Sequence, residues 1–139
     1  AASIYLPGLF IQPKYNFLYV SGGDYNYYKQ YSVQNGTLTR NETQLGKDVR
    51  LYICDVVKNK SKEVSFEEAK KLNLDSNNVS PDGFEIIYGS RGDGLFSLFF
   101  YSSTDYSTHY IIGHNVSKKL NLQLSGSYYR NFRFIGWIK

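Results

Sequence analysis

Residues 80–88 read Ser80-Pro81-Asp82-Gly83-Phe84-Glu85-Ile86-Ile87-Tyr88. The first four are turn chemistry. Pro presets φ, Asp can bond the backbone ahead of it, and Gly accepts a positive φ. The rest is a short, strongly apolar strand. Upstream, Arg50-Leu51-Tyr52-Ile53-Cys54-Asp55-Val56 is a second strand, followed by a polar turn at Lys58-Asn59-Lys60-Ser61 and a return strand, Lys62-Glu63-Val64. Short strands punctuated by turn signals predict an all-β antiparallel chain.

Outward from this centre the same grammar recurs. Residues 13–22 (PKYNFLYVSG) and 81–90 (PDGFEIIYGS) both run Pro, polar turn, apolar strand, small residues, a weak internal repeat. Residues 25–33 read as a Tyr-rich strand. Asn35-Gly36 predicts a tight hairpin with a return strand over 37–39, and 40–48 reads as loop. Ser65 and Glu68 fit a capping box, which predicts one short helix over 66–72, followed by loop over 74–79. Further strands are predicted at 95–101, 108–113 and 118–124, with a turn at 114–117. The chain closes on an aromatic strand over 131–139. Strict alternation places Phe132, Phe134, Gly136 and Ile138 on one face of that strand and Arg133, Ile135 and Trp137 on the other.

The length of 139 residues predicts one domain with room for a core. Tyr (14) and Phe (9) are abundant, which suits strands and binding surfaces. No stretch approaches the roughly 18 apolar residues of a membrane span. The chain has no Met, which predicts a processed or truncated chain whose targeting segment, if any, lay upstream. Cys54 is alone, so no intrachain disulfide forms, and its apolar strand predicts a buried thiol. The net charge of +4 is dispersed. Its densest region, 58–71, also carries Glu63, Glu67 and Glu68, and reads as a solvated face with a mild preference for anionic surfaces as the alternative.

Residues 50–90 resemble the TolB-type β-propeller repeat, a WD-like unit with Ser-Pro-Asp-Gly as its signature, as found in small uncharacterised bacterial proteins. The match rests on the strand ending at Asp55-Val56, the basic turn, and Ser80-Pro81-Asp82-Gly83. A second copy around 110–119 and 132–137 lacks Pro-Asp-Gly. The resemblance implies blade-like units at about 4–48, 49–100 and 101–139. Closed propellers hold roughly four to eight blades of about 40–45 residues, so two or three blades would leave open edges. A small open barrel or sandwich is the alternative architecture. The resemblance implies no established activity, and it points to a cell-envelope or secreted setting.

Three functions are compatible with this chain. The first is a non-catalytic extracytoplasmic binding or assembly module. It would engage a protein or glycan through aromatic loops and an open sheet edge, and could pair with a second copy there. Its binding candidates are Tyr25, Tyr27, Tyr28, Tyr31, Tyr101, Tyr106, Tyr128 and Tyr129, beside Gly, Ser and Asn as in binding loops. The same tyrosines could instead cover a β core. The second is a small hydrolase acting on RNA or glycan, with Glu85 as base, His109 as acid and Arg133 at a phosphate; it requires the three to meet in one cleft. The third is nucleic-acid binding by basic and aromatic residues. His109 and His114 flank a turn and match no metal-ligand spacing, and no cofactor fingerprint is present. Asn35, Asn41, Asn59, Asn78 and Asn115 head Asn-x-Ser/Thr sequons in predicted loops.

Overall fold

Phe17–Gly22 is the strand around which the molecule is built, and all six of its residues are buried. A strand buried on both faces carries a near-continuous apolar run rather than an alternating one, and Phe17-Leu18-Tyr19-Val20 is such a run. The structure, a computed structural model, describes residues 11–23, 30–42, 48–88, 108–124 and 132–139. In chain order its elements are β1 (Phe17–Gly22), β2 (Tyr31–Gln34), β3 (Thr37–Arg40), β4 (Val49–Asp55), β5 (Lys60–Val64), α1 (Phe66–Ala69), β6 (Leu74–Asp75), β7 (Glu85–Tyr88), β8 (His109–Gly113), β9 (Val116–Leu120) and β10 (Phe132–Ile138).

The strands form three antiparallel sheets, none closed into a barrel among the described residues. A central sheet runs β5-β4-β1-β10-β6, β2-β3 is a separate hairpin, and β7-β8-β9 is a three-stranded meander. The central sheet separates two cores. On one face Phe17, Tyr19, Tyr52, Cys54 and Trp137 pack against Phe84, Ile111 and Leu120 of the meander side. On the other, Leu18, Val20, Leu51, Val64 and Ile135 pack against Tyr31 and Leu38 of the hairpin and Ala69 of α1. The architecture is therefore three layers: meander, central sheet, then hairpin with helix. Pairing crosses the boundaries of the blade-like units near 48 and 100, since β1 pairs β4 and β7 pairs β8. No propeller is identified in these sheets.

Local chemistry sets most element ends. Asn35 and Gly36 take φ of 53° and 79° in the two-residue turn between β2 and β3, as Asn-Gly predicts. His114 and Asn115 (φ 48° and 64°) make the same kind of turn between β8 and β9, so β9 starts two residues earlier than the sequence reading placed it. Ser65 caps α1 by accepting from the Glu68 amide at 3.1 Å. The helix is shorter than the expected 66–72, because after Lys70 the chain tightens into i→i+3 bonds (Lys71 to Glu68, Leu72 to Ala69). Leu74–Asp75, expected in a loop, instead pairs with Trp137 and Ile138.

The last strand departs from strict alternation. Leu18 pairs Gly136 and Tyr19 pairs Phe134, so Ile135 is an extra residue opposite none on β1. This β-bulge turns the alternation over. Phe132, Phe134 and Trp137 all reach the meander-side core, while Ile135 and Ile138 reach the other. The sequence reading had Trp137 opposite the phenylalanines. Gly136 lies where β6 crosses: a Cβ there would stand 3.0 Å from the Asp75 carbonyl oxygen.

Candidate functional site

The Ser80–Gly83 turn is held by long-range contacts that set the position of β7. The Ser80 hydroxyl accepts from the Phe84 amide at 2.9 Å and donates to the Asp82 carboxylate. The other Asp82 oxygen accepts from the Lys14 amide at 3.0 Å. Asp82 therefore bonds a segment 68 residues away rather than the backbone just ahead of it. Gly83 sits at φ +88°, and a Cβ on it would lie 2.6 Å from His114 Nε2. His114 Nε2 donates to the Asp82 carbonyl at 2.7 Å, since a carbonyl can only accept. Among the described residues, His114 is thus part of the joint between the turn and the β8–β9 hairpin.

So placed, β7 runs beside the start of β10, and two recesses abut there. One, of about 250 Å³, is bordered by Asn78, all four residues of β7, His109, Phe132 and Phe134. The other, of about 410 Å³, is bordered by Ser32, Val33, Ser76, Asn78, Arg133, Phe134 and Ile135. Asn78 and Phe134 are common to both. The phenylalanines form a fixed floor. The Phe132 ring lies 4.3 Å from the His109 ring and 5.2 Å from that of Tyr19, and Phe134 lies 5.0 Å from Trp137. The rim is polar, with amide, hydroxyl, carboxylate and guanidinium groups.

Glu85, His109 and Arg133 do not converge. Glu85 pairs Ile112 and Tyr88 pairs His109. Side chains of directly paired residues share a face and alternate along the strand. Glu85 and His109 therefore project from opposite faces of the meander, although both border the recess along β7. His109, 4% exposed, faces inward onto Phe132. Arg133 projects from the far face of the central sheet, where its guanidinium donates to the Tyr31 carbonyl at 2.8 Å. Glu85 and His109 thus border one recess from opposite faces of the meander, and Arg133 borders the adjoining recess from the central sheet.

Of the eight tyrosines nominated for binding, Tyr31 is 7% exposed. Its ring lies 6.0 Å from Phe66 and its hydroxyl accepts from Gln30 Nε2, so it covers core rather than forming a surface. Tyr25, Tyr27, Tyr28, Tyr101, Tyr106, Tyr128 and Tyr129 lie outside the described residues, as does the apolar segment 95–101. Tyr88, at 42% exposure, is an exposed tyrosine at the recess that sequence reasoning did not single out. Asn78 and Ser76 were also missed, because nothing in a polar loop signals which residues a later strand will adjoin.

The buried titratable groups serve the fold. Burial pushes the Cys54 thiol up to about 11, and it pushes the Tyr19 hydroxyl well above the ordinary tyrosine range. The Tyr19 hydroxyl donates to Ser61 Oγ at 2.7 Å and accepts from the Gln123 amide at 2.8 Å. Among the described residues no group of three or more His, Cys, Asp or Glu is placed to hold a metal ion, and no helix is long and apolar enough to cross a membrane. No protein-family model, curated protein or solved structure matches the chain.

Proposed function

We propose that this chain is a non-catalytic binding or assembly module that engages a protein or glycan partner through aromatic surface and sheet edge. The observation that carries this reading is the separation of Glu85, His109 and Arg133 onto different faces and layers, with His109 and Arg133 in structural contacts. An aromatic floor with a polar rim suits recognition of a polar ligand. The extracytoplasmic setting is supported only by the resemblance of residues 50–90.

Light scattering on the purified chain, with an RNA and oligosaccharide turnover assay beside it, tests the proposal. The expected result is no turnover, together with either a mass above 16.0 kDa or saturable shifts of the Asn78 and Tyr88 NMR signals on adding oligosaccharides or extended peptides. Turnover lost in Glu85→Gln or Arg133→Gln overturns it. So does a strict monomer whose Asn78 and Tyr88 signals never move.

A further inference from the structure

We infer that the outer edge of β7 is a strand-addition site for an extended peptide of alternating apolar and basic residues. The inference rests on the reading of the chain as a binding module and names the partner's chemistry. β7 is an edge strand of the meander, and among the described residues it pairs on one side only, with β8. Consecutive side chains of a strand leave on opposite faces. The recess bordered by all four residues of β7 therefore lies along the edge of the strand and not over either face. Across it stand Phe132 and Phe134 of β10. The adjoining recess is bordered by three consecutive residues of β10, Arg133, Phe134 and Ile135, so it too follows an edge. It lies beyond the end of β6, which pairs only with Trp137 and Ile138.

A strand edge presents a row of backbone N–H and C=O groups, and an extended chain is the ligand that matches their spacing. Main-chain bonds supply the affinity in this mode, and alternate side chains supply the specificity. Both faces of the added strand can be read from β7. Ile86 pairs Ile111 and Tyr88 pairs His109. Ile111 belongs to the meander-side core, and the His109 ring lies 4.3 Å from that of Phe132. Partner residues on this face meet Ile86 and the phenylalanine floor, so they are apolar. Glu85 projects from the other face. Among the described residues it makes no ion pair, and opposite charges directly across two strands stabilise the pairing. The residue facing it is therefore a lysine or arginine. β7 carries no basic residue of its own, so pairing with β7 of a second copy would leave Glu85 unmatched.

NMR titration of the whole isotope-labelled chain with a capped seven-residue peptide alternating lysine and valine tests this. Saturable shifts centred on residues 85–88 are expected, with slower hydrogen exchange in β7. N-methylation of alternate peptide residues removes the donors along one edge of an extended strand. One of the two alternating sets should abolish binding and the other should leave it intact. Glu85→Lys, with its thermal midpoint unchanged, is expected to weaken binding by about fivefold and to shift preference to the corresponding glutamate–valine peptide. The N-methylated peptides alter the ligand alone, so they decide the matter should the variant unfold. Binding indifferent to both N-methyl sets, or shifts that avoid β7, overturns the inference. A dimer in light scattering that binds no peptide overturns it in favour of a second copy. Oligosaccharide binding without peptide binding overturns it and leaves the binding-module reading standing, whereas a strict monomer that binds neither overturns both.

Discussion

Asn59 holds a left-handed backbone, φ 55°, and uses both ends of its side-chain amide to join two edges that share no strand pairing. It also heads a sequon whose Ser61 hydroxyl accepts from Tyr19. In the folded protein both sequon groups are therefore consumed by structure. Asn59→Gly relieves the backbone but deletes the amide, so a loss of about 1–3 kcal/mol in urea unfolding is expected even there, and a larger loss in Asn59→Ala, where the backbone is strained as well. Cys54 gives a pH signature. Its folded value of about 11 lies above the ordinary 9.0 because burial disfavours the thiolate. Above pH 9 the unfolded thiol loses its proton while the folded one keeps it, so the unfolded state binds fewer protons and stability falls with pH. The contribution is complete below pH 9 and is lost as pH climbs toward 11. Tyr19 acts in the same direction at still higher pH. Unfolding midpoints measured from pH 7 to 11 should decline across that window, and Cys54→Ala should flatten the decline.

Among the elements, the meander depends on close approach between backbone segments. A Cβ at Gly113 would stand 2.5 Å from the Gly83 carbonyl oxygen and 2.8 Å from the Phe84 ring. The obstacle is largely backbone, which cannot turn aside. Gly113→Ala is expected to cost about 1–3 kcal/mol, as overpacking does. It should also disturb the joint between His114 and the Asp82 carbonyl, visible as a shift of the His114 ring signals in NMR. An unshifted ring with full stability would show that the turn and hairpin are not held together as described. The bulge at Ile135 has a different consequence. It adds one residue to β10, so that Trp137 joins Phe17 in one core at a ring separation of 5.6 Å and Ile138 joins the other. Among the described residues the indole nitrogen of Trp137 has no hydrogen-bond partner, and the ring is packed against Phe17 and Phe134.

For the whole molecule, the decisive feature is that β1 and β10 belong to both cores. Leu18 and Val20 face the hairpin and helix, Phe17 and Tyr19 face the meander, and no layer can leave without uncovering a strand that the other layer needs. Unfolding should therefore be one cooperative transition. Leu18→Ala, confined to the hairpin-side core, is expected to cost about 2–5 kcal/mol. It should lower the midpoint reported by Trp137 fluorescence, in the opposite core, as much as that reported by hydrogen exchange in β2 and β3. Separate midpoints would mean that the layers fold independently.

The sequence by itself determined what is local. The all-β class, the Asn35-Gly36 hairpin, the Ser65 cap and the hairpin of residues 50–64 follow from turn residues and short-range backbone bonds. These depend only on the few residues on either side. The strand at 17–20 was legible for the same reason, and its unbroken apolar run matched burial on both faces. Tertiary structure decided everything that turns on which strands meet. The bulge that sends Trp137 across the sheet, the pairing of residues 74–75, the burial of Tyr31, the dispersal of Glu85, His109 and Arg133, and the bonds from Asn59 to Lys119 and Asn121 were all set there. Contacts between residues tens of positions apart are fixed by how whole faces pack, and a packing solution belongs to the assembled layers rather than to any segment of the chain.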